Sequence, residues 1–183
     1  MNPVDLRTDR LVLDQLEDGD VDDVTAYCQD PLFERYLTTP WPYHRHDAQF
    51  FIDRVVPEGW EEDREFTWAI RTGAGRPVLG VIGWRRPLAD VGFWLGAPHR
   101  GNGYMTEAVA AVADWVFAFD VPVIRWECVV GNLASAAVAR AVGFRYTGEA
   151  PAEVVGRDGR RPLSWHGELP AGMPRHPKPG WPL

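Results

Sequence analysis

With 183 residues, 45% of them hydrophobic and 25% charged, the chain has the balance of one soluble globular domain that buries its own core. A formal net charge of −7 argues against a nucleic-acid partner, which needs clustered Lys and Arg, and leans toward a cationic substrate. No run approaches about 18 uninterrupted apolar residues and no basic-then-apolar leader opens the chain, so the expectation is a cytoplasmic protein without membrane contact.

Residues 10–15 alternate as a strand does, and Asp20 or a neighbouring acid can cap a helix running to about Cys28. Pro31, Pro40 and Pro42 then break the chain, leaving 38–43 as a rigid aromatic loop. Trp41 and Tyr43 on it are candidates for recognising an apolar moiety or a cation on a ring face. Asp47 can begin a second helix that ends at Pro57-Glu58-Gly59. Residues 66–71, 78–84 and 91–95 read as an antiparallel meander whose first hairpin turns through the glycines of 72–77. A long helix over 106–119, a central strand over 123–130 and a helix over 133–142 capped by Gly143 follow. Strands over 144–147 and 163–169, turning through 156–159, complete a domain spanning 1–169, and the Pro-rich remainder, 170–183, reads as a mobile tail. Cys28 and Cys128 read as buried thiols, and the five histidines lack ligand spacing, so no metal is expected.

The most informative stretch is His99-Arg100-Gly101-Asn102-Gly103-Tyr104-Met105-Thr106-Glu107-Ala108, placed between a buried strand and an apolar helix. Two glycines let successive backbone N–H groups converge on an anion, Arg100 adds a cation, and the helix turns its positive end to the same spot. The ligand should therefore carry phosphate. A Walker loop would need Gly-Lys-Ser/Thr, and a dinucleotide fingerprint would need a third small residue where Thr106 stands.

These residues resemble the GNAT superfamily of acyl-CoA-dependent N-acyltransferases, whose Arg/Gln-x-x-Gly-x-Gly/Ala motif appears here as Arg100-x-x-Gly103-x-Met105, with Met105 departing from the small residue. The continuation Tyr104-x-Thr106-Glu107-Ala108 is similar to the branch that includes the RimJ and RimL ribosomal-protein N-terminal acetyltransferases. So are Arg10-Leu11-Val12-Leu13, Asp30-Pro31, Arg35-Tyr36-Leu37, Gly92-Phe93-Trp94-Leu95, Asn132-x-x-Ser135 and Gly143-Phe144, in that order.

The resemblance implies an α/β (α+β) fold, a mixed central sheet with two splayed parallel strands, flanked by helices, and acetyl-CoA as cosubstrate. It implies that Arg100, Gly101, Asn102, Gly103, Tyr104, Met105 and Thr106 hold the pyrophosphate, that backbone of Phe93, Trp94 and Leu95 binds the thioester carbonyl, and that Asn132 holds pantetheine amides. Asp90 stands where this branch carries a Glu and is the leading general base, with Glu127 in reserve. Ala139 occupies the position of the family's proton-donating Tyr, which leaves Ser135 either to stabilise the thiolate or merely to cap a helix. Glu107, in the first turn of its helix, reads as structural. The implied reaction is acetyl transfer to a primary amine of a protein N-terminus, an antibiotic or a small metabolite, by a monomer or homodimer. A non-catalytic acyl-CoA-binding module and a nucleotide-binding regulatory domain are the rival readings.

Overall fold

A computed structural model describes Met1–Leu183. Its strands are β1 (Leu6–Arg7), β2 (Val12–Asp14), β3 (Glu65–Arg71), β4 (Gly80–Arg85), β5 (Asp90–Leu95), β6 (Val123–Val129), β7 (Arg145–Pro151) and β8 (Leu163–Pro170). They form one sheet in the order β1-β2-β3-β4-β5-β6-β8-β7. Every neighbouring pair is antiparallel except β5 and β6, which run parallel and pair in register at a single position, Asp90 opposite Arg125. Beyond it the two strands diverge.

Helices cover the sheet: α1 (Val21–Cys28), α2 (Pro31–Tyr36), α3 (Arg45–Phe50), α4 (Val56–Glu61), α5 (Tyr104–Phe117) and α6 (Leu133–Val142). α6 has the expected bounds and ends at Gly143. Pro31, read above as a breaker, opens α2: it fills the first helical position, where a missing N–H costs nothing, and Asp30 caps the turn by accepting from Leu32 N at 2.9 Å. The helix expected to end at Pro57-Glu58-Gly59 runs on to Glu61. A π-helical stretch, Phe51–Val55, precedes Pro57, and Gly59 is small because a Cβ there would lie 2.6 Å from the Glu65 carbonyl oxygen.

The core over the meander is aromatic. Trp60 of α4 and Trp115 of α5 meet Trp68 of β3 edge-on at centroid distances of 5.1 and 5.2 Å, and the Trp60 indole N–H donates to Thr67 O. On the other half of the sheet, Trp126 of β6 packs on Trp181 at 5.5 Å. The segment expected to be a mobile tail thus touches the domain at Trp181 and again at Arg175, which pairs with Asp114 at 2.6 Å.

Asp20 does not cap α1. Its carboxylate accepts from both terminal nitrogens of Arg71, at 2.8 and 2.6 Å, while Arg71 Nε donates to Asp14 at 2.7 Å and the backbone oxygens of Gln15 and Arg76 take its remaining N–H groups. This buried guanidinium fastens the loop before α1 to β3. Removing one partner of such a pair strands a buried charge, so Asp20→Ala is expected to lower unfolding free energy by about 3–5 kcal/mol in a denaturant titration. A loss below about 1 kcal/mol would deny the pair this role.

Both cysteines are buried and free, and burial pushes each thiol up to about 12. Unfolded thiols, near 9.0, lose their protons first, so this contribution to stability is whole below about pH 9 and declines as pH rises toward 12. A thiol-specific chromogenic disulfide at pH 8 should label neither cysteine in the native protein and both after denaturation.

Candidate active site

The divergence of β5 and β6 opens a cavity of about 590 Å3 between the end of β5, the 100–103 loop, the start of α6 and the inner side of α2. Phe33, Leu37, Leu95, Met105 and Val138 make most of its wall apolar, as a pantetheine arm requires. The loop supplies the polar end. Gly101 and Gly103 take φ values of 80° and 77°, the left-handed region that favours glycine, and no side chain caps α5, so its first N–H groups stay open. Arg10 braces this loop by donating to Asn102 O and to Glu107, whose carboxylate also takes the Thr8 hydroxyl. Burial works to raise the Glu107 carboxyl, but the Thr8 and Arg10 donors outweigh it and hold the group below its ordinary range.

Arg100 lines the cavity, yet it is less free than expected: Nη1 pairs with Asp30 at 2.8 Å and Nε donates to Leu95 O at 3.1 Å. It ties the loop to α2 as much as it offers charge.

A second cavity, about 310 Å3, continues from the first across Phe93, Trp94, Asn132 and Ser135. Its floor is the face of β3–β5 bearing Glu65, Thr67, Gly83, Arg85 and Gly92, and its far wall is β6 at Trp126–Val129. The end of α2 and the β7–β8 loop meet above it. Arg157 joins them, its guanidinium donating to the backbone oxygens of Glu34, Leu37 (2.8 Å) and Thr39 (2.6 Å), carbonyls that the short helix leaves open at its C-terminal side. Tyr36 adds a hydrogen bond to Gly131 O at 3.0 Å.

Asp90 is the main correction. Only 4% exposed, its carboxylate is gripped by Arg85 through Nε at 2.9 Å and through Nη2, and it lies outside the linings of both cavities. The geometry makes it the anchor of the strand junction rather than an available base. Glu127 does line the second cavity, but its oxygens accept from the backbone N–H groups of Glu153 (2.8 Å) and Val154 (3.2 Å), fixing the β7–β8 loop. Asn132 caps α6 by accepting from Ser135 N at 3.2 Å, so Ser135 is released from that duty. The Ser135 oxygen accepts from Trp126 Nε1 at 3.2 Å where the cavities meet. Ala139 is wholly buried in the core. Tyr43 is a core residue at 4% exposure, and Trp41 packs against the core; neither lines the two cavities.

Sequence reading missed Glu65, Arg85 and Arg157. A signal for the first existed: in Glu65-Phe66-Thr67-Trp68-Ala69-Ile70-Arg71 the alternate residues Glu65, Thr67 and Arg71 are polar on a strand buried on both faces.

Residues 10–145 match the model of the acetyltransferase (GNAT) domain. The chain is similar to the probable N-acetyltransferase YjcK of Bacillus subtilis, 32% identical over 101 residues that cover 51% of this chain and 55% of the relative, little more than half its length. Among solved structures, RimJ of Mycobacterium smegmatis in complex with CoA-disulfide superposes with a TM-score of 0.74 at 19% identity, covering 94% of this chain and 89% of that one. The microcin C7 self-immunity acetyltransferase MccE, in complex with acetyl-CoA and AMP, does so at 0.74 and 17%, covering 89% and 93%. These two share this chain's fold, and the family match over most of the sequence adds the lineage: the chain belongs to the GNAT acetyltransferase family.

Proposed function

We propose that this protein transfers the acetyl group of acetyl-CoA to a primary amine by direct attack, without a covalent enzyme intermediate. The observation that carries the reading is the pair of joined cavities, one apolar and ending at a glycine loop, the other of mixed character and bearing carboxylates, which meet where β5 has parted from β6. The reading takes residues 1–169 as one catalytic domain with 170–183 appended, acting in the cytoplasm as a monomer or homodimer.

In this reading the N–H groups of Gly101, Gly103 and the first turn of α5 hold the pyrophosphate, with Arg100, Asn102, Tyr104, Met105 and Thr106 shaping that end. Backbone N–H groups around Phe93, Trp94 and Leu95, unclaimed by β6, bind the thioester carbonyl and stabilise the oxyanion that forms on attack. Asn132 positions the pantetheine amides. Ser135, whose oxygen already accepts from Trp126, has its proton to give to the departing thiolate.

CoA at about one hundred times its dissociation constant should stabilise the fold by about 2.7 kcal/mol, and Gly103→Val should remove the shift, since a branched residue is strained at that φ and fills the phosphate approach. Stabilisation by ATP or NAD but not CoA would overturn the assignment. Stabilisation by CoA with no acetylation across amino-acid, peptide, aminoglycoside and polyamine acceptors would instead favour a binding module.

Ser135→Ala should lower turnover per folded molecule by about tenfold with CoA affinity nearly unchanged. Stability should fall by about 1–3 kcal/mol, because the Trp126 N–H loses its acceptor while the Asn132 cap remains. An unchanged single-turnover rate would remove Ser135 from the chemistry.

A further inference from the structure

Directly opposed residues of antiparallel strands share a face, so β3, β4 and β5 lay three rows on the face that carries the floor of the second cavity, though Asp90 and Ala69 lie beyond its lining. The outermost row is Glu65, Arg85 and Asp90; the next is Thr67, Gly83 and Gly92; the third is Ala69, Val81 and Trp94. The middle row is nearly bare. A Cβ on Gly92 would meet nothing within 4 Å, and one on Gly83 would lie 3.3 Å from Thr67 Oγ1 and 3.5 Å from Glu65 Oε1, so the space over the two glycines is bordered by the Thr67 hydroxyl and the Glu65 carboxylate.

The charges around this space are unevenly committed. Arg85 spends its Nε and Nη2 on Asp90. Glu127, on the facing strand, is spent on two backbone amides. Glu65 closes no ion pair and accepts no protein hydrogen bond, although it lines a cavity and is half-buried. A half-buried carboxylate on a cavity wall, near Arg85 but accepting no hydrogen bond from it, is free to pair with a cation that enters.

We propose that Glu65 is the acceptor-binding carboxylate of this enzyme, pairing with the ammonium of a primary-amine acceptor over the Gly83–Gly92 floor and taking its proton before attack. The inference rests on the acetyltransferase reading and names the residue through which it works. In the step, R–NH3+ gives one proton to Glu65 directly or through a single water. The freed nitrogen lone pair then forms the C–N bond at the thioester carbonyl carbon as the C–S bond breaks. The thiolate takes a proton from the hydroxyl of Ser135, the second proton shed by the nitrogen restores that hydroxyl, and Glu65 returns its proton to solvent. Burial raises the Glu65 carboxyl above its ordinary range, Arg85 and Arg64 oppose the rise and Asp90 adds to it, which moves the group toward the working pH of a base. The acceptor class is an amine with little bulk beside its nitrogen, since the space is one glycine row wide.

The experiment pairs kinetics with a probe that does not require turnover. Glu65→Gln should lower kcat/KM for the acceptor by roughly 10²-fold, abolish the acidic limb of its pH profile and leave the CoA-dependent thermal shift intact, with Glu65→Asp recovering part of the rate. In parallel, 13C-glutamate-labelled protein loaded with CoA is titrated with the acceptor amines. The carboxyl resonance missing from Glu65→Gln should shift on amine addition in the parent. Turnover retained in Glu65→Gln with an unchanged pH profile would overturn the inference while the transferase reading stands. Amine-induced shifts without any turnover would uphold the cation site and sink the transferase reading. A silent resonance with no turnover would sink both.

Discussion

The molecule depends on one junction, where β5 and β6 begin side by side and then part. A single register pair holds them, Asp90 opposite Arg125, and the hydrogen bond that closes it runs from Arg125 N to Ala89 O at 2.7 Å. Ala89 presents that carbonyl from a left-handed backbone (φ 52°), a conformation costing roughly 1–2 kcal/mol in a non-glycine residue and tolerated because its surroundings fix it. Arg85 grips Asp90 on one side, and Arg125 reaches Leu88 O on the other. Past this point the backbone of β5 has no partner in β6, and a strand with open N–H groups facing a cavity is a strand waiting for a ligand. The junction therefore creates the site, and for this reason Asp90 is worth more as an anchor than as a base.

A wedge-shaped gap in a sheet is a weakness unless its open end is tied, and three polar ties do this. Arg100 links the 100–103 loop to Asp30 at the start of α2, Tyr36 links the end of α2 to Gly131 before α6, and Arg157 carries the β7–β8 loop onto the same helix. α2 has only six residues, too short for a stable helix alone, so these contacts position it as much as its own ladder does. Because the ties fall on a short helix and two loops, the roof is the part of the site best able to move while the floor, buried β-sheet, stays fixed.

Much of this was legible beforehand, and the misses share a cause. The strand–glycine loop–helix order around Gly101 and Gly103, the meander and the bounds of α6 follow from local chemistry: turn residues, periodicity and caps that act within a few positions. The surroundings of Asp90, Tyr43 and Asp20 lay beyond the sequence because they are set by partners the local pattern does not show: Arg85 across a strand pair, the core that buries Tyr43, and Arg71 fifty-one positions away. Pro31 misled in the other direction, since a proline that breaks a helix interior is welcome in its first turn, whereas Pro57 is carried inside a continuous helical run directly after the π-helical stretch Phe51–Val55. Glu65 went unnoticed because a single acid at a strand end is usually a solvated edge, and only the register of β3, β4 and β5 reveals that it borders two glycines.

The anion loop also holds a lesson about where affinity comes from. Glu107 lies in the first turn of α5, close to where a pyrophosphate would sit, and a free carboxylate there would repel it. Its proton is held off by Thr8 and Arg10, so it is charged at neutral pH, but the same contacts neutralise it: Arg10 supplies the compensating cation, and Thr8 and the Arg10 N–H saturate its oxygens. Arg100, the guanidinium in the loop itself, is likewise balanced by Asp30. With both arginines paired, the excess positive character left at this end of the cavity is that of the backbone, the open N–H groups of a fourteen-residue helix and its dipole. Under the proposed reading, phosphate recognition at this loop would rest on geometry rather than on net charge, which is compatible with a chain of net charge −7.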